Sequence, residues 1–161
     1  MLSKDCLFFG LRKLMTEEQE TFVNSILTNN VTFCNAVAGS GKTTMSVAAL
    51  KYLYDLGKID KVYYIFSPVM EGVLGHRPGT TEEKEADYVQ PLKDALIKIG
   101  EFPEKAMDPR VGWVEAKSDT FLRGTNMERA GVIIDEAQNW TKAQFKRGLS
   151  RIHDNCHVVI I

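Results

Sequence analysis

Residues 36–43 read Ala-Val-Ala-Gly-Ser-Gly-Lys-Thr and stand between two apolar runs of different period. Before them, residues 31–37 are short, apolar and β-branched, which predicts a buried strand. After them, Met45, Ala49, Leu53 and Leu56 recur on one side of a helix over residues 42–56, and Gly57 stands where that helix would stop. Strand, glycine turn and helix in that order fit the pattern G-x-x-x-x-G-K-[ST], with Ala36 in the place of its first glycine. The pattern answers a physical demand: several backbone N–H groups must converge on one chain of phosphates. Gly39 and Gly41 let the backbone turn and approach without a Cβ in the way. The helix starting near Lys42 offers unpaired N–H groups and the positive end of its dipole. On this reading Ala38, Gly39, Ser40, Gly41, Lys42, Thr43 and Thr44 enclose the phosphates of ATP. Lys42 lies between the β- and γ-phosphates, and the Thr43 hydroxyl ligates magnesium. Ala36 adds one methyl group and is compatible with binding provided its φ stays negative. The alternative, a chance glycine-rich turn, leaves the ordered strand and helix around it unexplained.

The rest of the chain alternates strand and helix patterns. Thr16-Glu17-Glu18-Gln19 is a capping box, and Phe22/Ile26 and Val23/Leu27 follow at helical spacing, predicting a helix over about residues 17–28. Residues 61–66 (KVYYIF) read as a strand ended by Pro68, and residues 72–81, rich in glycine and proline, as a loop. Residues 82–99 read as helical with a break or fresh first turn at Pro91. A weaker strand follows at 111–116 and a strong one at 131–134. Thr141-x-x-Gln144 opens another helix, with Phe145, Leu149 and Ile152 on one face, and residues 157–161 (HVVII) form a last apolar strand. Apolar strands separated by helices predict an α/β fold, a parallel sheet with helices on both faces. No repeat or linker divides the 161 residues, so they read as one domain over 1–161. The sequence stops inside its last strand, as a fragment or a short member of a longer family would, which makes the domain incomplete at its C-terminus.

Composition narrows the field. The net charge is −1, so no global basic field draws the chain onto nucleic acid. The three cysteines, Cys6, Cys34 and Cys156, are odd in number and lack metal-ligand spacing, which fits a reducing, cytoplasmic setting. No signal peptide is legible, and no apolar run approaches the roughly 20 residues that cross a bilayer. Lys142, Lys146, Arg147 and Arg151 form a basic stripe at helical spacing, a pattern shared by solvated faces and nucleic-acid sites.

A second motif completes the first. Val132-Ile133-Ile134-Asp135-Glu136 is an apolar strand ending in two carboxylates, which it delivers to the carboxyl edge of the sheet, where ligands bind in open α/β folds. Asp135 there holds magnesium through its water shell, and Glu136 polarises the attacking water as general base. The alternative is that both are solvated or capping acids of the next segment. A glutamate in this position, with no Asn-Lys-x-Asp motif for guanine, favours ATP hydrolysis over Ras-type GTP hydrolysis.

With these motifs placed, the chain resembles the PhoH-like ATPases, which are related to superfamily 1 helicases. NAVAGSGKTTMSVAAL resembles the family's phosphate-loop region, and VIIDEAQN its Asp-Glu-Ala-Gln-Asn motif at residues 135–139. Between them, SPVMEGVLGHRPGTTEEKEADYVQPLKDAL is similar to the family segment with R-P, L-G-x-x-P-G and Y-x-x-P-L-x-D-A-L, and Phe121-Leu122-Arg123-Gly124 to its aromatic-x-Arg-Gly motif. Ser67 stands where the family has arginine before Pro68, and Thr125 where a second arginine follows Arg-Gly. The family's γ-phosphate-sensing glutamine would lie past Ile161.

The resemblance implies a RecA-like sheet in which the last strand lies between the phosphate-loop strand and the acidic strand. It implies a magnesium-dependent ATPase, linked to RNA or another single strand through groups such as Gln138 and Asn139, and assembled as a homo-oligomer. Gln19 resembles the glutamine that reads adenine in related helicases, against its competing role as capping partner of Thr16. Arg123 is a candidate arginine finger, with nucleic-acid phosphate binding and a surface salt bridge as alternatives. The rival readings are a nucleotide-binding module without catalysis and a superfamily 1 helicase fragment.

Overall fold

The structure, a computed structural model, describes residues 2, 6–68, 81–122 and 125–161, with the backbone alone at 81–85 and 121. The loop expected at 72–81 falls outside the described residues but for Thr81. Arg123 and Gly124 lie outside them too.

The capping box forms as expected: Gln19 N–H donates to Thr16 Oγ1, and Thr16 N–H donates to Gln19 Oε1 at 3.0 Å. It opens helix α1, Glu17–Thr28. Strand β1 is Val31–Phe33, helix α2 Lys42–Asp55 and strand β2 Lys61–Phe66. Helix α3, Thr81–Lys98, is followed by the short α4, Pro103–Ala106, and by β3, Val114–Ser118. Strand β4, Ala130–Ile134, helix α5, Lys142–Leu149, and strand β5, His157–Ile160, complete the order. Among the described residues the five strands make one sheet, all parallel, in the order β1-β5-β4-β2-β3. The α/β, RecA-like expectation holds, and β5 lies between the phosphate-loop strand and the acidic strand.

Side chains alternate across this sheet with the period of two that strands impose. Val62, Tyr64, Phe66, Val114, Ile133 and Val159 face a core built with α1, α2 and α3. Ile65, Val132, Ile134, Val158 and Ile160 face the other core, closed by Leu122, Met127, Trp140 and Phe145. Among the described residues no helix is long and apolar enough to cross a membrane.

Four local expectations need correction. The strand expected over 31–37 ends at Phe33, and it is not buried: Val31 and Phe33 are 50% and 72% exposed, with only Thr32 turned into the core. β1 is an edge strand, so one of its faces lacks the cover that an interior parallel strand receives. Pro91 neither breaks nor restarts α3 but sits inside it. The proline removes one backbone bond, while burial of Leu92, Leu96 and Ile99 in the core holds the helix through it. The strand expected at 111–116 starts at Val114 and runs to Ser118. Leu56, expected on the buried side of α2, is 54% exposed, whereas every residue from 44 to 51 is buried. α2 is enclosed by the sheet, α1 and α3 together, so a single apolar stripe understated its burial.

Gly131 sets how closely α2 approaches β4. A Cβ there would stand 2.9 Å from both terminal carbons of Leu50 and 3.0 Å from Ile59 Cδ1. Both neighbours are fully buried and cannot swing aside. We expect Gly131→Ala to destabilise the fold by about 1–3 kcal/mol through overpacking, read as a lowered midpoint in urea unfolding. An unchanged midpoint would show that the α2–β4 contact yields without cost.

Candidate nucleotide site

Because the strands are parallel, β1, β5 and β4 end on the same edge of the sheet. The β1 ladder is extended by one bond, Cys34 N–H to Ile160 O at 2.9 Å, and the chain then leaves the sheet with Asn35, Ala36, Val37 and Ala38 all exposed. The turn works as the sequence predicts. Gly39 and Gly41 have φ of 78° and 84°, the left-handed region that glycine enters without steric cost. Ala36 stays out of that region, so its methyl group fits. Gly41 caps α2, whose first-turn N–H groups have no partner within the helix.

Lys42 folds back over the loop. Its Nζ donates to Ala36 O at 2.9 Å and to Val37 O at 3.2 Å. Gln19 Nε2 donates to Ser40 O at 2.9 Å from the start of α1. Three loop carbonyls are thus held by side-chain donors, which organises the loop around its N–H groups. Gln19 performs its capping role and also grips the loop, so contact with a base would require its amide to leave both bonds.

Beyond β4, Asp135 is buried, and its backbone stays in the sheet through a bond from its N–H to Ile65 O at 3.0 Å. Burial pushes its carboxyl above the usual range. Hydrogen bonds from the Tyr64 hydroxyl and the Glu136 backbone pull it back, and so does the charge of Lys42, while the Glu136 charge adds to the upward push. Tyr64 is pushed far up by burial and by the Asp135 charge, so its hydroxyl stays protonated and donates. Glu136 is exposed and adopts φ 50° and ψ 44°, a left-handed conformation that a non-glycine residue enters only at a cost. Its carboxylate accepts a bond from Gln138 Nε2.

Asp135 and Glu136 open into a cleft of about 120 Å³, walled on the far side by Asp87, Tyr88 and Pro91 of α3 and by Asn139. The Tyr88 ring stacks on Phe66 at 5.7 Å, which docks α3 beside the carboxylates. Neither this wall nor the part played by Tyr64 was foreseen from the sequence. A polar network beside it was also missed: Gln144 Nε2 donates to Ser67 Oγ at 2.9 Å and to Asp119 Oδ2 at 2.8 Å. Ser67, where the resemblance leads one to expect arginine, thus ties the end of β2 to α5. In the basic stripe Lys142, Lys146 and Arg151 are exposed and Arg147 is half-buried.

The residues present fit a magnesium–nucleotide group. The Ser40 hydroxyl oxygen is enclosed and without a hydrogen-bond partner among the described residues, the two glycines shape the turn, and Lys42 supplies a cation. No group of three or more His, Cys, Asp or Glu among the described residues makes a metal cage.

Comparison with known proteins agrees along most of the sequence. The family model described as PhoH-like protein matches residues 13–161. Protein PhoH of Escherichia coli (strain K12) is 34% identical over 148 residues, which is 89% of this chain and 42% of that protein. A PhoH-like protein of Synechocystis sp. is 36% identical over 140 residues, 85% of this chain and 42% of its own length. One from Bacillus subtilis (strain 168) is 32% identical over 151 residues, 92% and 47% respectively. The chain spans less than half the length of each of these relatives. On the match along its length and the identities it shares with them, the chain belongs to the PhoH-like protein family.

Proposed function

We propose that this chain binds ATP with magnesium at residues 38–44 and hydrolyses its γ-phosphate bond with Glu136 as general base. The observation that carries the reading is the convergence of two motifs on one sheet edge: the loop after β1 and the carboxylates after β4, one strand apart. Lys42 already bonds two loop carbonyls, so it can exchange those oxygens for phosphate oxygens without crossing the site. Thr43 and Asp135 are the residues to hold magnesium, which supplies charge neutralisation on the phosphates when bound. Glu136 stands at the mouth of the cleft with its carboxylate exposed to water. It takes the proton of the attacking water, while the Gln138 amide fixes one carboxylate oxygen. ATP binding is the general property of the family, and it is the part of this proposal that hydrolysis depends on.

Three variants test the reading. Lys42→Ala removes a charge-assisted contact contributing about 1.5–3 kcal/mol, so ATP affinity measured by calorimetry with magnesium present should fall at least tenfold by that figure. Equal affinity in the variant would remove the central claim. Glu136→Gln keeps the shape and loses the basic oxygen, so ATP binding should persist while steady-state hydrolysis falls by about 10²–10⁴. If the wild-type chain binds ATP and releases no phosphate, the nucleotide-binding module is the better description.

Gln19→Ala separates its two roles. Loss of the amide's bonds with Thr16 N–H and Ser40 O should lower stability by about 0.5–2 kcal/mol in thermal melting. A narrowed preference for ATP over GTP in the same variant would mean that the amide also reads the base.

A further inference from the structure

The buried hydroxyl of Tyr64 is a polar group that the proposed mechanism leaves without a task. Tyr64 sits in the middle of β2 and is 1% exposed, among the largest fully buried side chains of the core. A phenylalanine would bury the same ring without taking a hydroxyl out of water, a loss that only a hydrogen bond makes good. Phe66 fills the next position on that face of β2 with no hydroxyl, so the core itself asks only for an aromatic ring. Among the described residues the hydroxyl donates to Oδ2 of Asp135, just past the end of the neighbouring strand. The other oxygen, Oδ1, accepts the Glu136 backbone N–H at 3.0 Å.

The register explains how the two residues meet. Ile65 pairs with Ile134 and Tyr64 with Ile133, and the bond from Asp135 N–H to Ile65 O carries the ladder one residue further. Asp135 is thereby held at its backbone by β2 and at its carboxylate by a side chain of the same strand. With one donor on each oxygen, the carboxylate plane cannot turn about its last torsion. Each oxygen still keeps a second acceptor site, so both remain able to receive a magnesium-bound water.

We propose that Tyr64 is a positioning residue: its hydroxyl fixes the Asp135 carboxylate in the orientation that receives the hydrated magnesium of a bound nucleotide. The proposal rests on the reading of Asp135 as the magnesium-side carboxylate, and it assigns the hydroxyl a role in metal affinity and not in holding the nucleotide itself.

The test is a titration of a fluorescent ATP analogue onto the full chain, with magnesium and with EDTA, in wild type, Tyr64→Phe, Asp135→Asn and the double variant. Loss of one hydrogen bond to a charged group should reduce the magnesium-dependent gain in affinity about tenfold in Tyr64→Phe, with the EDTA affinity kept within about twofold. In the Asp135→Asn background the same change should add nothing, because the group it orients is gone. Thermal melting without nucleotide checks that Tyr64→Phe folds. A wild-type magnesium gain in Tyr64→Phe overturns the proposal while leaving Asp135 in place. An equal loss with and without magnesium, or a variant that does not fold, overturns it in favour of a purely structural tyrosine. A wild-type chain with no magnesium gain, or an Asp135→Asn chain that keeps it, overturns the reading of Asp135 first and the tyrosine proposal with it.

Discussion

The pairing of β5 with both β1 and β4 fixes the separation of the two halves of the site. Neighbouring strands lie about 4.8 Å apart, so one intervening strand sets the phosphate loop and the carboxylates roughly 10 Å from each other. The ladder is continuous on both sides: Phe33 and Ile134 both pair with Ile160. It extends past the strand ends through Cys34 N–H to Ile160 O and Ile161 N–H to Ile134 O. β5 is also clamped from outside the sheet, since His157 Nδ1 meets Ile26 O at 2.9 Å at the end of α1. A shift of β5 would move α1, and with it Gln19 and the loop that Gln19 grips.

α2 is the second rigid part. It carries Lys42 and Thr43 at its start and is buried on all sides through its middle turns. Even Lys51 is buried there, held by Asp55 and by Glu101 at 3.3 Å, with its ammonium over the rings of Phe9, Tyr54 and Trp113. Those rings come from the N-terminal turn, from α2 itself and from the approach to β3. One cation thus draws the N-terminal turn and the approach to β3 onto the helix that follows the loop. Preorganisation of this kind matters because anion-binding N–H groups act well only when they need not be rearranged on binding.

Much of this was legible in the sequence, and for a consistent reason. α1, β2 and the cap of α5 announced themselves through local chemistry: a capping box at Thr16 and another at Thr141, and an apolar β-branched and aromatic run closed by Pro68. The glycine turn into α2 was legible because Gly39, Gly41, Lys42 and Thr43 lie close together in the chain. What stayed hidden depends on tertiary position. Residues 34–37 look like a continuation of the strand but form the loop's approach, for the chain leaves the sheet after the bond from Cys34 N–H to Ile160 O. Pro91 looks like a break but is carried through by burial on one side of α3. The meeting of Tyr64 with Asp135, and of Gln144 with Ser67 and Asp119, joins residues far apart in sequence, and no local period encodes it.

Several local rules are broken at the same edge of the sheet. Asp135 is a buried carboxylate at the end of an apolar strand, Tyr64 a buried hydroxyl in a strand core, and Ser40 an enclosed hydroxyl without a partner among the described residues. Glu136 is a left-handed glutamate where a relaxed residue would avoid positive φ. Each choice costs stability, and a sequence selected for stability alone would use apolar or glycine residues at these positions. The costs are partly offset among the same groups. Tyr64, the Glu136 N–H and Lys42 all favour the charged form of Asp135 against its burial. Departures from local preference are expected where function requires them. The left-handed turn at Glu136 makes the point physically, for it reverses the chain directly after β4, leaving the Asp135 carboxylate buried beside Tyr64 while the Glu136 carboxylate faces water. Two adjacent carboxylates thereby acquire different environments, one shielded and held by donors, the other open to solvent, which suits the two separate roles proposed for them.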